Sequence, residues 1–127
     1  MLLLDTCALL WLVADKRKLS AHVRRLFESP QARLYVSAIS AFEVGVKHRR
    51  RALVLPMPPD EWYRQALEFH GVEEIAVSGE IAARSTMLPA HHNDPSDRII
   101  VATAQVAGMS VVTPDGLIGK YGVGVEW

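Results

Sequence analysis

DPSDRIIVATAQVAGMSVVTPD, residues 94–115, joins two patterns across a glycine, and how that junction is read decides the fold. Ile99, Ile100, Ala102, Thr103 and Val106 give a broad apolar helical face, and Gly108 suits the end of that helix. Met109 to Val112 then reads as a strand of the fully buried kind, which belongs in a parallel sheet covered on both faces. The helix has a ready start: Asp94 as N-cap, Pro95 at the first helical position with its fixed φ, and Asp97 where its charge favours the positive end of the dipole. None of this requires a function. Two aspartates around a proline also suit a metal-binding cluster whose other members lie far off in the sequence, and the rest of the chain has to decide.

Working outward, the same alternation returns. Leu2–Leu4 is a short apolar run ending at Asp5, and Ala8–Val13 continues as helix. Ser20 caps a second helix through about Glu28, with Val23, Leu26 and Phe27 on its apolar face. Arg33–Val36 reads as a second strand. Ser37 or Ser40 caps the next helix, which carries Phe42, Val46 and the run Lys47–Arg51. Pro56-Met57-Pro58-Pro59 marks a loop, Trp62, Tyr63, Ala66, Leu67 and His70 are helically spaced, and Gly71 closes that helix. Val72–Val77 reads as a strand, Ser78–Met87 as a helix, and the last strand falls near Val123–Val125. Short apolar strands alternating with helices define an α/β domain with a mainly parallel sheet, here a single domain over residues 1–127.

Composition sets bounds. A chain of 127 residues, 50% hydrophobic, can bury roughly two thirds of its unfolded surface. Fourteen basic and fourteen acidic residues cancel, so a nucleic-acid site must come from local clustering. The lone Cys7 makes no internal disulfide, which fits a reducing compartment. The opening apolar run is interrupted by Asp5 and soon followed by Asp15-Lys16-Arg17-Lys18, unlike a signal peptide or membrane span, so the protein reads as cytoplasmic and soluble.

The acids fall at element ends. Asp5 follows the first strand, Asp97 opens the helix before the Met109 strand, and Asp115 lies three residues past that strand's end at Val112. Ligands of open parallel sheets bind beyond the carboxyl ends of strands, so Asp5 and Asp115 can face one crevice. Glu43, between Phe42 and Val44 and one turn before Lys47, reads as partly buried. Two like charges at 4 Å repel by about 1 kcal/mol in water and about 4 kcal/mol at an effective dielectric near 20, so a converging cluster needs protons or cations. Oxygen ligands suit Mg²⁺ or Mn²⁺, ions that activate water and stabilise phosphoryl oxygens. Singly, each acid has an ordinary reading: Asp5 a turn or cap residue, Glu43 a surface helix acid, Asp115 a turn former before Gly116.

Five stretches break that tie: LLLDTCALLWL (2–12), SAISAFEVGVK (37–47), LPAHHNDPSDRIIVATA (88–104), VVTPD (111–115) and YGVGVEW (121–127). With them the chain resembles the PIN-domain ribonucleases, in particular the toxins of VapBC toxin–antitoxin pairs. The resemblance implies a PIN-like three-layer α/β domain and an acidic pocket holding Mg²⁺ or Mn²⁺, with cleavage of RNA as its activity. It also implies a VapB-like antitoxin partner, a homodimer, and DNA contact only through the antitoxin. By position the family's acids fall on Asp5, Glu43, Asp97 and Asp115, with Asp94 as an auxiliary and Asp97 ahead of it. Two departures stand out. Ser96 replaces a frequent aromatic, and Cys7 occupies a position where relatives often carry Asn or His, which puts a polar role there in doubt.

Other residues have two readings. Thr6 and Thr113 can hydrogen-bond the neighbouring carboxylates or cap helices and turns. Lys47, Arg49, Arg50 and Arg51 compensate a helix dipole or contact phosphate, and Arg98 holds phosphate or pairs with an acid. His91 and His92 form an RNA-facing loop or merely solvate acids, and Trp11, Trp62 and Trp127 favour packing. Two rival functions remain: an acidic-pocket binding module that receives a basic partner segment, and an aspartyl-nucleophile phosphatase. The phosphatase lacks the second acid it would want two residues after Asp5, where Cys7 stands.

Overall fold

The computed structural model describes residues 1–127 throughout. Five strands, β1 (Leu2–Leu4), β2 (Leu34–Ser37), β3 (Val72–Ile75), β4 (Ser110–Val112) and β5 (Val125–Glu126), form one sheet in the order β3-β2-β1-β4-β5. Every pairing is parallel. Six helices connect them: α1 (Thr6–Ala14), α2 (Ala21–Glu28), α3 (Ile39–Arg49), α4 (Pro59–His70), α5 (Gly79–Thr86) and α6 (Pro95–Ala107).

Parallel strands covered on both sides have no polar face, and the burial follows. Leu3 and Leu4 are fully buried on opposite faces of the sheet, as are Val111 and Val112. Leu4 and Val112 pack with Leu9, Leu12, Val23, Val44 and Trp62, from α1 to α4. Leu3 and Val111 pack with Ile100, Val101, Ile118 and Tyr121 on the α6 side. Fully burying each such side chain contributes about 1.5–3 kcal/mol. The result is the three-layer α/β architecture expected from the alternation of strand and helix.

Local chemistry sets the boundaries. Ser20 and Ser78 accept the amides of Val23 and Ile81, capping α2 and α5, and left-handed Gly71 and Gly108 end α4 and α6. The α3 start differs from expectation: Ala38 holds the cap position with no side-chain bond, while the Ser37 hydroxyl accepts the Ile39 N–H at 3.2 Å. Pro59 is not loop but the first residue of α4, where its missing N–H costs nothing. The strand expected over 72–77 stops at Ile75, before the Ser78 cap. The last strand begins later than expected, because Ile118–Tyr121 forms a 3₁₀ turn first. Gly124 then lets the chain pass against β4: a Cβ there would lie 2.5 Å from Ser110 Oγ. Its carbonyl accepts the Val111 N–H at 2.8 Å.

Counting from β1, the chain moves to β2 and β3 on one side, then returns to place β4 on the other. The carboxyl ends of β1 and β4 therefore flank the point where the winding reverses, the usual crevice of such sheets. Asp5 leaves β1 there, its N–H bonded to Val112 O at 3.1 Å.

Candidate active site

Asp5 is 5% exposed and caps α1, its Oδ1 accepting the Ala8 N–H at 2.8 Å. One oxygen is thereby fixed by the helix start. Burial raises its pKa, against hydrogen bonds from Thr113 and Ala8 that favour the charged form and with a further upward push from Asp115. Glu43 reaches the same place from α3. Its Oε1 accepts the Thr6 hydroxyl at 2.6 Å, and Thr6 Oγ1 lies 2.9 Å from the buried Ser40 Oγ. Since the Thr6 proton goes to the carboxylate, Ser40 donates to Thr6, forming a relay that fixes Glu43. Burial raises the Glu43 pKa too, with Asp94 and Asp5 adding to it and Thr6 and Lys47 opposing.

Asp97, in the first turn of α6, has its pKa raised to about 7, first by burial and then by Asp94 and Glu43. Asp115 goes the other way. Burial pushes it up, but the Leu117 N–H at 2.9 Å and His92 outweigh that and leave it lowered. Asp5, Glu43, Asp97 and Asp115 thus come from four elements or their ends and lie close enough to perturb one another.

His92 sits among them in a way sequence reasoning missed. Its Nε2 is 2.8 Å from Asp115 Oδ2 and 3.1 Å from Asp97 Oδ2, and the three side chains offer ligand atoms within 4.8 Å of one another. Its Nδ1 accepts the Asp94 N–H at 3.0 Å. An accepting Nδ1 carries no proton, so Nε2 bears the N–H and donates it to Asp115 Oδ2. In this tautomer His92 is a donor to Asp115, with Asp97 Oδ2 close by at 3.1 Å. Its own N–H donates to Tyr121 Oη at 2.8 Å, and Tyr121 donates to Pro89 O at 2.9 Å. Ser40 was also overlooked, although it lies one helical turn before Glu43.

Arg98 and Asp94 both serve the local structure, Asp94 in the capping role expected of it. The Arg98 guanidinium donates to the carbonyls of Ser85, Leu88, Pro89 and His92 at 2.7–3.2 Å, tying the α5–α6 loop together. Asp94 caps α6, with Oδ1 accepting the Ser96 N–H at 2.9 Å, while its charge still acts on Glu43 and Asp97. Thr113 Oγ1 accepts the Asp115 N–H at 3.0 Å, fixing the turn that presents Asp115. Burial and then Asp5 raise the Cys7 pKa, so its sulfur stays a thiol. Arg49, Arg50 and Arg51 lie at and just past the end of α3, all three exposed, with Lys47 part-buried beside them. Trp62 is in the core, and Trp11 packs on Trp127 with ring centroids 5.6 Å apart.

The donor set suits a hard divalent cation. The oxygens are carboxylates, burial raises three of the four pKa values, and a positive charge relieves both burial and mutual repulsion.

A doubly wound parallel sheet with buried carboxylates at its switch point places the chain among acidic-pocket α/β proteins. More narrowly, residues 2–122 match the PIN domain, and the chain belongs to that family. It is 32% identical over 114 residues to Ribonuclease VapC22 of Mycobacterium tuberculosis, covering 89% of this chain and 85% of that one. Among solved structures, it is similar to a toxin–antitoxin complex from Klebsiella pneumoniae, with 25% identity, a TM-score of 0.62 and coverage of 91% of this chain and 87% of that one. It shares the fold of DNA-bound VapBC from Salmonella typhimurium at 19% identity and a TM-score of 0.71, covering 98% of this chain and 96% of that one.

Proposed function

We propose that residues 1–127 act as a single PIN domain, a cytoplasmic metal-dependent endoribonuclease toxin that hydrolyses RNA phosphodiester bonds and is inhibited by a cognate VapB-like antitoxin. What supports the reading is that Asp5, Glu43, Asp97 and Asp115 lie near enough for their charges to act on one another, in a chain 32% identical to a ribonuclease. These four acids would hold Mg²⁺ or Mn²⁺. The ion, when bound, supplies Lewis-acid activation of water and stabilisation of phosphoryl oxygens.

The chain's own groups do the rest. Capping holds one oxygen of Asp5, the Ser40–Thr6 relay aims Glu43, and Leu117 N–H fixes one oxygen of Asp115. The carboxylate lone pairs these bonds leave free would serve the cation or the attacking water. His92 orients Asp115 through its Nε2–H and lies against Asp97. Lys47, Arg49, Arg50 and Arg51 supply positive charge for the RNA backbone. The antitoxin would bring a segment that blocks the acidic pocket, and DNA contact would run through the antitoxin in a complex built on a toxin homodimer.

The test uses the antitoxin-free protein with Mn²⁺ and single-stranded RNA. Cleavage is expected, and EDTA abolishes it. Asp5→Asn keeps a cap acceptor but removes the charge, so it reduces cleavage about a hundredfold while the metal-free protein melts no lower than the wild type. Asp5→Ala also loses the cap, about 1 kcal/mol of stability. Intact RNA after incubation with the wild-type protein, or full activity in Asp5→Asn, would falsify the nuclease reading.

A further inference from the structure

Phe42 stands next to Glu43 on α3 with its ring turned outward, 65% exposed, whereas Val44 on Glu43's other side is fully buried. Leaving an aromatic ring in water forgoes the burial that normally holds such residues inside. The ring lines a cleft of about 340 Å³, with Val46, Lys47 and Arg50 beside it on α3 and Asp94 and Pro95 across it at the start of α6. Glu43 belongs to this cleft as well, so it opens directly onto the acidic cluster.

The cations in the cleft are uncommitted. Neither Lys47 nor Arg50 makes an ion pair, although the Lys47 charge is near enough to lower the Glu43 pKa. An occupant must therefore offer negative charge to Lys47 and Arg50 and a flat apolar face to Phe42. Acidic side chains alone meet the first demand only, and a peptide meets the second only by adding an aromatic at the right spacing. A second copy packed about a two-fold axis through Phe42 would set Lys47 and Arg50 against their own equivalents. Unpaired RNA meets both, since each nucleotide joins a phosphate to a π-face.

We propose that Phe42 is a base-stacking platform: a nucleotide next to the scissile phosphate lays its base on the ring while Lys47 and Arg50 hold the adjoining phosphates. This rests on the nuclease reading and narrows its substrate to RNA whose bases are free to unstack, as in loops and single strands. Stacking on one ring reads no base edge, so the platform selects for unpaired structure more than for sequence.

The test measures binding without cleavage, by fluorescence anisotropy of fluorescein-labelled 12-mers of oligo(A) and oligo(U) on the full chain carrying Asp5→Asn, with Mn²⁺ present. Adding Phe42→Ala is expected to weaken binding about tenfold. Phe42→Leu, which keeps apolar area but lacks a π-face, loses as much, and Phe42→Trp stays within about twofold. A 12-bp RNA duplex shows no dependence on the side chain at this position. Equal affinity of the Asp5→Asn parent and its Phe42→Ala and Phe42→Leu derivatives overturns the proposal, as does loss in Phe42→Ala that Phe42→Leu restores. So does a shift from dimer to monomer in Phe42→Ala with RNA affinity unchanged, which would mark a copy-to-copy contact. If the wild-type protein cuts no RNA yet binding depends on the ring, catalysis fails and the platform stands. If RNA is cut equally well by Phe42→Ala, catalysis stands and the platform falls.

Discussion

At Asp97, burial and the charges of Asp94 and Glu43 hold a proton that an unfolded chain would release at a pKa of 3.8, moving its loss to about 7. The metal-free native state therefore binds more protons than the unfolded chain between those values. The resulting stabilisation is fully present below 3.8 and is lost as pH rises through about 7. Asp5 and Glu43, also raised, act in the same direction, whereas the lowered Asp115 contributes stability that is lost on acidification. Calorimetry at about pH 5.5 and about pH 8 should show that Mn²⁺ raises the melting temperature more at the higher pH. Asp97→Asn should shrink that difference, and an equal effect of Mn²⁺ at both values would contradict the assignment. At this scale the caps were legible because they are local: Asp94 and Pro95 announce the start of α6 from adjacent residues, whereas the grouping of the four acids was implied only by the family resemblance. His92 was not, because its partner Asp115 is 23 residues away and its proton is placed by a backbone amide of Asp94.

Elements show the same division. Strand–helix alternation, the serine caps and the glycine stops could be read directly, since each rests on residues within a turn of one another. The role of Arg98 could not, since the four carbonyls it serves carry no side-chain signature and belong to the end of α5 and the loop after it. Nor could the outward position of Phe42, which follows from α3 burying Ser40 and Val44 instead. Arg98→Lys keeps the charge but has no fork to reach several carbonyls at once. It should cost about 2 kcal/mol in urea unfolding and loosen the loop carrying His92, so cleavage falls as well. Loss of activity with unchanged stability would instead return Arg98 to the substrate.

For the whole molecule, equal numbers of acids and bases remove any global attraction for RNA, leaving the run at the end of α3. For single strands the logarithm of affinity falls with the logarithm of salt by about 0.7 per phosphate neutralised. Arg50→Gln should reduce that slope by about 0.7, and an unaltered slope would remove Arg50 from the RNA path. One consequence of the topology concerns how the chain is made. β1 is the middle of the sheet, yet Leu2 pairs with both Leu34 and Ser110. The strand synthesised first waits for a neighbour over a hundred positions later, with its all-leucine flank open meanwhile. Proteins shortened to end before Ser110 should accordingly collect in the pellet on centrifugation, and a nascent chain has every reason to need sheltering until its tail arrives.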